Sequence, residues 1–214
     1  MLACPFEILS DGPERKPDPK RLPGISQALT LIGYDAGALN PDEAAYLKSA
    51  DAPLPAHFSV LGPTPETQTV RVGDVPVGIV LFPPSPNLRE PVPSAQGEAV
   101  AKAAAELHAK AKLVIGISGW GQSDEKAFID AHPGSVDVLL GSGPNAGAAG
   151  HVSENGKTLW SRTYGRGKTI NRLDIKTLPG AADFAWKPDS NFKAEVFSLD
   201  ETYPADPMIS LLFK

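Results

Sequence analysis

Cysteine is almost absent from this chain: Cys4 is the only one. That excludes an intrachain disulfide and a thiolate metal cluster, and it leaves the redox compartment unread. Histidine is scarce as well, with four in 214 residues. A basic excess is lacking: Lys and Arg number 20 against 25 Asp and Glu, a net charge of −5, so there is no electrostatic footprint for nucleic acid. No apolar run is long enough to cross a bilayer. The start, Met1-Leu-Ala-Cys-Pro-Phe-Glu, has neither a basic nor an apolar signal-peptide region, and its faint likeness to a lipoprotein cleavage site lacks the preceding apolar segment.

What the chain has in quantity is proline (22) and glycine (20), clustered between apolar runs as loop punctuation. Its length suits a single domain with an ample core. Residues 1–24 hold five prolines and mixed charge, as in Asp11-Gly-Pro-Glu-Arg-Lys-Pro-Asp-Pro-Lys20, and read as an irregular leader before one domain spanning 25–214. Residues 26–32 read as the last turns of a helix and 34–39 as a short strand. Pro41-Asp-Glu43 then opens a helix to about Ser49, with proline in the first turn and acids at the positive dipole end.

Residues 57–61 read as a short strand beginning at His57. Residues 67–72 and 75–82 form a hairpin around Gly73-Asp74, and Val77-Gly-Ile-Val-Leu-Phe82 has no polar alternation, as befits a strand covered on both faces. After a proline-rich loop at 83–93, an alanine-rich helix spans 94–112, with Val100, Ala104, Leu107 and Ala111 at helical spacing. A buried strand at 113–117, a helix at 123–131 and another buried strand at 136–140 follow. Strands and helices in alternation predict an α/β fold with parallel crossovers. Beyond Gly141, strands at 151–152, 158–163 and 169–175 read as antiparallel, joined by Asn155-Gly156 and Gly165-Arg-Gly167, with a last strand at 192–199. There is no internal repeat.

Open α/β sheets place their sites at the carboxyl ends of strands. Two small-residue loops, 118–122 and 141–147, follow buried strands and are expected to face one crevice, joined by the chain at Asn40, Asp42 and Glu43. Ser118, Gly119, Trp120, Gly143 and Asn145 belong to those loops, and His151 is the histidine nearest to them. Trp120 either lines a pocket or caps the core. The loop Gly141-Ser-Gly-Pro-Asn-Ala-Gly147 has the composition of a phosphate cradle, but no helix opens after it, which favours a tight loop. His108 and His132 suit surface roles, and no histidine pair has helical zinc spacing.

Four segments in unbroken order resemble the N-terminal domain of the bacterial 5'-nucleotidase and UDP-sugar hydrolase family of metallophosphoesterases. Gly33-Tyr-Asp-Ala-Gly-Ala-Leu-Asn-Pro-Asp-Glu43 resembles its "GYDA…GNHE", and Val72-Gly-Asp-Val-Pro-Val-Gly-Ile-Val-Leu81 its "GGVKVGVIGL". Ala111-Lys-Leu-Val-Ile-Gly-Ile-Ser-Gly-Trp-Gly121 resembles "ADLVVLLSHLG", and Val136-Asp-Val-Leu-Leu-Gly-Ser-Gly-Pro-Asn145 resembles "IDVILGGHTH". Asn155-Gly-Lys-Thr-Leu159, Tyr164-Gly-Arg166 and Arg172-Leu-Asp-Ile175 fit the closing strands, and Leu199-Asp200 with Pro204-Ala-Asp-Pro207 fits the domain ending.

The resemblance implies a sandwich of two mixed sheets flanked by helices, lacking the first strands. It also implies an extracytoplasmic, periplasmic setting and a role in nucleotide catabolism; with no signal peptide in the sequence, the alternative is the cytoplasm. The family would use two divalent metal ions. Its "NHE" positions are Pro41, Asp42 and Glu43 here, the "SHLG" histidine is Gly119, and the "GGHTH" histidines are Gly143 and Asn145. Nothing in residues 1–24 matches the family's first metal-binding strands: either that front has been lost, or the natural chain starts earlier. Glycine and proline side chains cannot ligate, so no metal cofactor and no catalytic residue is expected. The expected function is that of a pseudoenzyme, a binding or interaction domain for an unknown small molecule or protein, with neither nucleic acid nor a membrane span involved. The alternative is a divergent hydrolase using the same crevice with unusual groups such as His151, Asp42 or Cys4.

Overall fold

The computed structural model describes residues 1–9, 16–87, 90–163, 168–181 and 183–214. Residues 11–15 of the proline-rich leader run and the Tyr164 to Gly167 segment, with its expected turn, lie outside the described residues. The elements run in the order β1 (Leu2–Ala3), α1 (Leu22–Ile32), β2 (Ala36–Leu39), α2 (Pro41–Ser49), β3 (Phe58–Val60), β4 (Glu66–Val72), β5 (Val75–Leu81), α3 (Ser94–His108) and β6 (Leu113–Ser118). Then come α4 (Gln122–Ala131), β7 (Val138–Gly141), β8 (Ala148–Val152), β9 (Leu159–Arg162), β10 (Thr169–Ile175), β11 (Phe192–Ser198) and α5 (Pro207–Leu211).

A six-stranded sheet in the order β4-β5-β6-β7-β9-β8 forms the centre. Strands β5, β6, β7 and β9 are mutually parallel, and the edge strands β4 and β8 run antiparallel to their neighbours. The three all-apolar runs thus lie side by side as expected. They lack alternation because both faces are covered. On one face, Val100, Ala104 and Leu107 of α3 and Phe128 and Ile129 of α4 pack against Val80, Val114 and Leu139. On the other, Val77, Leu113, Val138 and Leu159 meet Trp186 and Phe192. Edge strand β4 is mostly exposed, with Gln68 and Val70 the more buried positions, the period of a half-buried strand.

A second, parallel sheet has the order β1-β2-β3. Cys4, Ala36, Ala38 and Leu61 form the seam between it and the central sheet, against Ile79, Leu81 and Ile117. Small side chains at 36–38 suit this close approach: a Cβ on Gly37 would lie 2.6 Å from the Phe58 ring. Strands β10 and β11 form a separate antiparallel hairpin packed on β8. The arrangement of sheets flanked by helices is the expected one.

Several local readings are corrected. The leader is not irregular throughout: Leu2–Ala3 form a strand on β2, Ala3, Cys4 and Ile8 are buried, and α1 already begins at Leu22. Polar composition hid this because the contacts that order the segment are distant in sequence. His57 lies before its strand, with φ 63°, and β3 starts at Phe58. Strand β9 pairs in parallel with β7 and antiparallel with β8, whereas β10 pairs with β11. Helix α3 ends at His108. No helix among the described residues is long and apolar enough to cross a membrane.

Candidate functional site

The loops after β6 and β7 do meet. Ser142 N–H and its hydroxyl both donate to the Ser118 carbonyl, at 2.9 and 3.0 Å, and Gln122 N–H donates to Pro144 O at 3.2 Å. The crevice expected between them is occupied by the chain itself. A Cβ on Gly119 would stand 3.2 Å from the Phe6 ring and 3.3 Å from Pro5. At Gly143, φ is 82°, and a Cβ would lie 2.7 Å from Gly119 O and 3.2 Å from Phe6. A side chain at either glycine would crowd residues 5–6, and Gly143 is required by its left-handed backbone and by the Gly119 carbonyl as well. Phe6 has φ 73°, and Asn145 has φ 80°. A phenylalanine held in the left-handed region marks the N-terminal segment as one whose shape its surroundings impose.

Glu43 is what imposes it. The side chain is 1% exposed, and its two oxygens accept four main-chain N–H groups: Phe6 at 3.0 Å, Ile8 at 2.8 Å, Leu9 at 3.3 Å and Asn40 at 2.9 Å. The Asn40 contact is the return half of a capping box at the start of α2, where Pro41 takes the first helical position. The other three reach back across more than thirty residues and fix the N-terminal segment. A buried carboxylate so fully engaged is structurally satisfied. Glu7 follows on the same segment. It is an exposed residue, yet burial of its carboxyl and, after that, the Glu43 carboxylate push it up to about 7. Burial, and next Glu7, push the Cys4 thiol far above its usual range.

Beneath the second loop lies a fully buried ion pair. The Arg162 guanidinium contacts Glu125 Oε2, and Trp160 Nε1–H donates to the same oxygen at 2.9 Å. The guanidinium Nη2 donates to the carbonyls of Ser142, Gly143 and Pro144, at 3.1, 3.1 and 2.9 Å, and its Nε–H to that of Ala146 at 3.1 Å. A loop that turns four carbonyls toward an interior cation is the electrostatic opposite of a phosphate cradle, which needs converging N–H groups. Burial pushes the Glu125 carboxyl up, while Arg162, Trp160 and Ser118 pull it down. Its Oε1 has no hydrogen-bond partner among the described residues.

Of the residues expected at the site, Glu43, Ser118, Gly119 and Gly143 gather around the N-terminal segment and the loops it touches. Asn40 contributes a backbone N–H; Asp42 and Asn145 are exposed. Trp120 caps the core: it is 3% exposed, packs edge-on against Phe82 and Phe128, and donates to Pro83 O at 2.6 Å. His151 is exposed on β8, with its ring 6.2 Å from that of Trp160. Among the described residues, no group of three or more His, Cys, Asp or Glu side chains is placed to hold a metal ion. Phe6, Glu125 and Arg162 were missed. The signal for the last was an arginine inside the apolar run Leu159-Trp-Ser-Arg162, which requires a buried partner.

No family model and no curated protein matches the sequence. A solved structure of Thermus thermophilus sulfate thiohydrolase SoxB in complex with glycerol matches with a TM-score of 0.62 at 17% identity, over 89% of this chain and 38% of that one. The fold is metallophosphoesterase-like. At that identity the likeness extends to the fold and no further, and the present chain spans well under half the length of SoxB. A hypothetical protein from Thermus thermophilus also matches, with a TM-score of 0.46 at 16% identity, over 64% of this chain and 56% of that one.

Proposed function

We propose that this chain is a metallophosphoesterase-fold domain that binds or docks a partner and does not hydrolyse phosphoesters. One observation carries the reading: the meeting point of the loops after β6 and β7 is filled by Pro5 and Phe6, and Glu43, the acid common to this sequence and the family's "NHE" segment, is fully engaged by main-chain N–H groups. Phosphoester hydrolysis needs a large transition-state stabilisation. Two-metal enzymes supply it with ions that activate water and neutralise developing charge, held by several carboxylates and imidazoles. The corresponding positions hold Pro41, Gly119, Gly143, Asn145, an exposed Asp42 and a Glu43 whose oxygens are taken by main-chain N–H groups, a set that does not fit such ions.

The test is an assay of the purified chain on nucleoside monophosphates, UDP-sugars and an aryl phosphate with Zn²⁺, Mn²⁺ or Mg²⁺ supplied, alongside elemental analysis. Turnover at background and no stoichiometric metal are expected. Metal-dependent turnover that scales with protein and disappears on chelation would overturn the proposal in favour of a hydrolase with unusual ligands.

A further inference from the structure

The segment in the crevice is held by an unusual set of contacts. Its backbone leaves β1 and passes Cys4, which is packed in the seam between the two sheets. Pro5 and Phe6 fill the space over Gly119 and Gly143, and the chain then delivers three N–H groups to one carboxylate on α2. Phe6 is held at φ 73°, a conformation that costs a non-glycine residue energy and persists only under constraint. Glu43 and the two glycines supply that constraint. The segment thus combines local strain and the burial of Cys4 and Ile8 with one charge-assisted latch, unlike the core strands, whose ladders share the load over many hydrogen bonds.

We propose that residues 4–9 form a strap latched by Glu43, which opens by local release while the rest of the domain stays folded, so that the crevice admits a ligand only when the strap is open. The proposal rests on the reading of the crevice as a binding surface. Closed, the strap covers the glycine loops with Pro5 and Phe6. Open, it uncovers them together with the Glu43 carboxylate, and it exposes Cys4.

Cys4 is the only cysteine and is 7% exposed, so its reaction with a thiol reagent reports opening at one place. The experiment follows the labelling of the full chain by Ellman's reagent under native conditions, with circular dichroism confirming the fold of each variant. In the unmodified chain, labelling is expected to be slow, with a rate almost independent of low urea, the mark of a local opening. Glu43→Gln weakens a charged latch and is expected to speed labelling by about tenfold or more. Gly119→Leu, which collides with Pro5 and Phe6, is expected to do the same. Glu154→Gln, at a side chain 89% exposed, is expected to leave the rate unchanged.

Equal labelling rates in folded Glu43→Gln, Gly119→Leu and unmodified chain would overturn the strap. So would labelling that follows the urea dependence of global unfolding. Should either variant fail to fold, native-state hydrogen exchange of the unmodified chain decides. The amides of Phe6, Ile8 and Leu9 are expected to exchange at least about tenfold faster than those of Val80 and Val114; exchange at the same rate would overturn the proposal. None of these readouts involves turnover or a ligand. Phosphoesterase activity would therefore sink the functional reading and leave the strap standing, and a failed strap would leave the functional reading intact.

Discussion

The guanidinium of Arg162 and the carboxylate of Glu125 meet where neither side chain reaches solvent, at 1% and 0% exposure. Burying two charges is costly unless the remaining hydrogen-bonding capacity is filled. Here the four loop carbonyls and the Trp160 indole fill most of it. The pair ties α4, the end of β9 and the loop after β7 into one unit.

Replacing Arg162 by Met is expected to destabilise the domain by about 3–5 kcal/mol, because Glu125 is left as an unpaired buried charge. The double variant Arg162→Met with Glu125→Leu should recover part of that loss, since the stranded charge is gone although the carbonyls still lack donors. Urea denaturation of the two single variants and the double variant measures the coupling. Simple additivity of the two losses would contradict a direct pair.

Gly141→Ala is a second probe of the same place. Its new Cβ would lie 1.9 Å from Glu125 Oε2, far inside any tolerable contact. A loss of about 1–3 kcal/mol is expected from forced overpacking. Because Trp160 donates to the same oxygen, the near-ultraviolet circular dichroism should change as well. Unaltered thermal stability together with an unaltered spectrum would show that Glu125 has room to move.

Glu7 makes stability depend on pH. Its folded value of about 7 lies above the ordinary 4.5, so the folded state holds its proton more tightly than the unfolded chain does. Below pH 4.5 both states are protonated and the group is neutral in its effect. Between about pH 4.5 and 7 the unfolded chain ionises first, and the folded state loses stability relative to it; above about pH 7 the penalty is constant. Glu7→Gln is expected to raise the melting temperature at pH 8 relative to the parent chain and to change it little at pH 4. A variant no more stable at pH 8 than at pH 4, relative to the parent, would refute the assignment.

Restoring histidine at 119, 143 and 145 together is expected to yield no phosphoesterase activity and a less stable protein. An imidazole at 119 collides with Pro5 and Phe6, and one at 143 must adopt φ 82° against the Gly119 carbonyl. Activity assays with divalent metal and thermal unfolding check both halves. Metal-dependent turnover would mean that the loops can reorganise around an ion.

The central sheet was legible because its evidence is local. The runs at 77–82 and 113–117 declare a strand covered on both faces, and Gly73-Asp74 declares the hairpin before the first of them. The meeting of the two glycine loops was legible from topology alone. What fills the crevice was not. Pro5 and Phe6 belong to a stretch whose composition reads as irregular, and their order comes from Glu43, a residue whose first-turn position already had a sufficient explanation in helix capping. Glu125 was hidden in the same way, as an acid in the first turn of α4 whose partner lies 37 positions onward. Local patterns do not encode which of two roles a residue plays when both fit.

Helix α1 has a further property that bears on how the molecule is made. A Cβ on Gly24 would lie 2.8 Å from the Leu212 carbonyl and 3.2 Å from the Phe213 ring, and the Arg21 guanidinium stands over that ring at 5.0 Å. Helix α1 is thus packed by residues that follow every strand of the central sheet in the chain. During synthesis, the surface around Gly24 waits uncovered while every strand of the central sheet emerges. Vectorial folding can assemble the sheets in order, but the closing of α1 must wait until residues 212–213 have emerged.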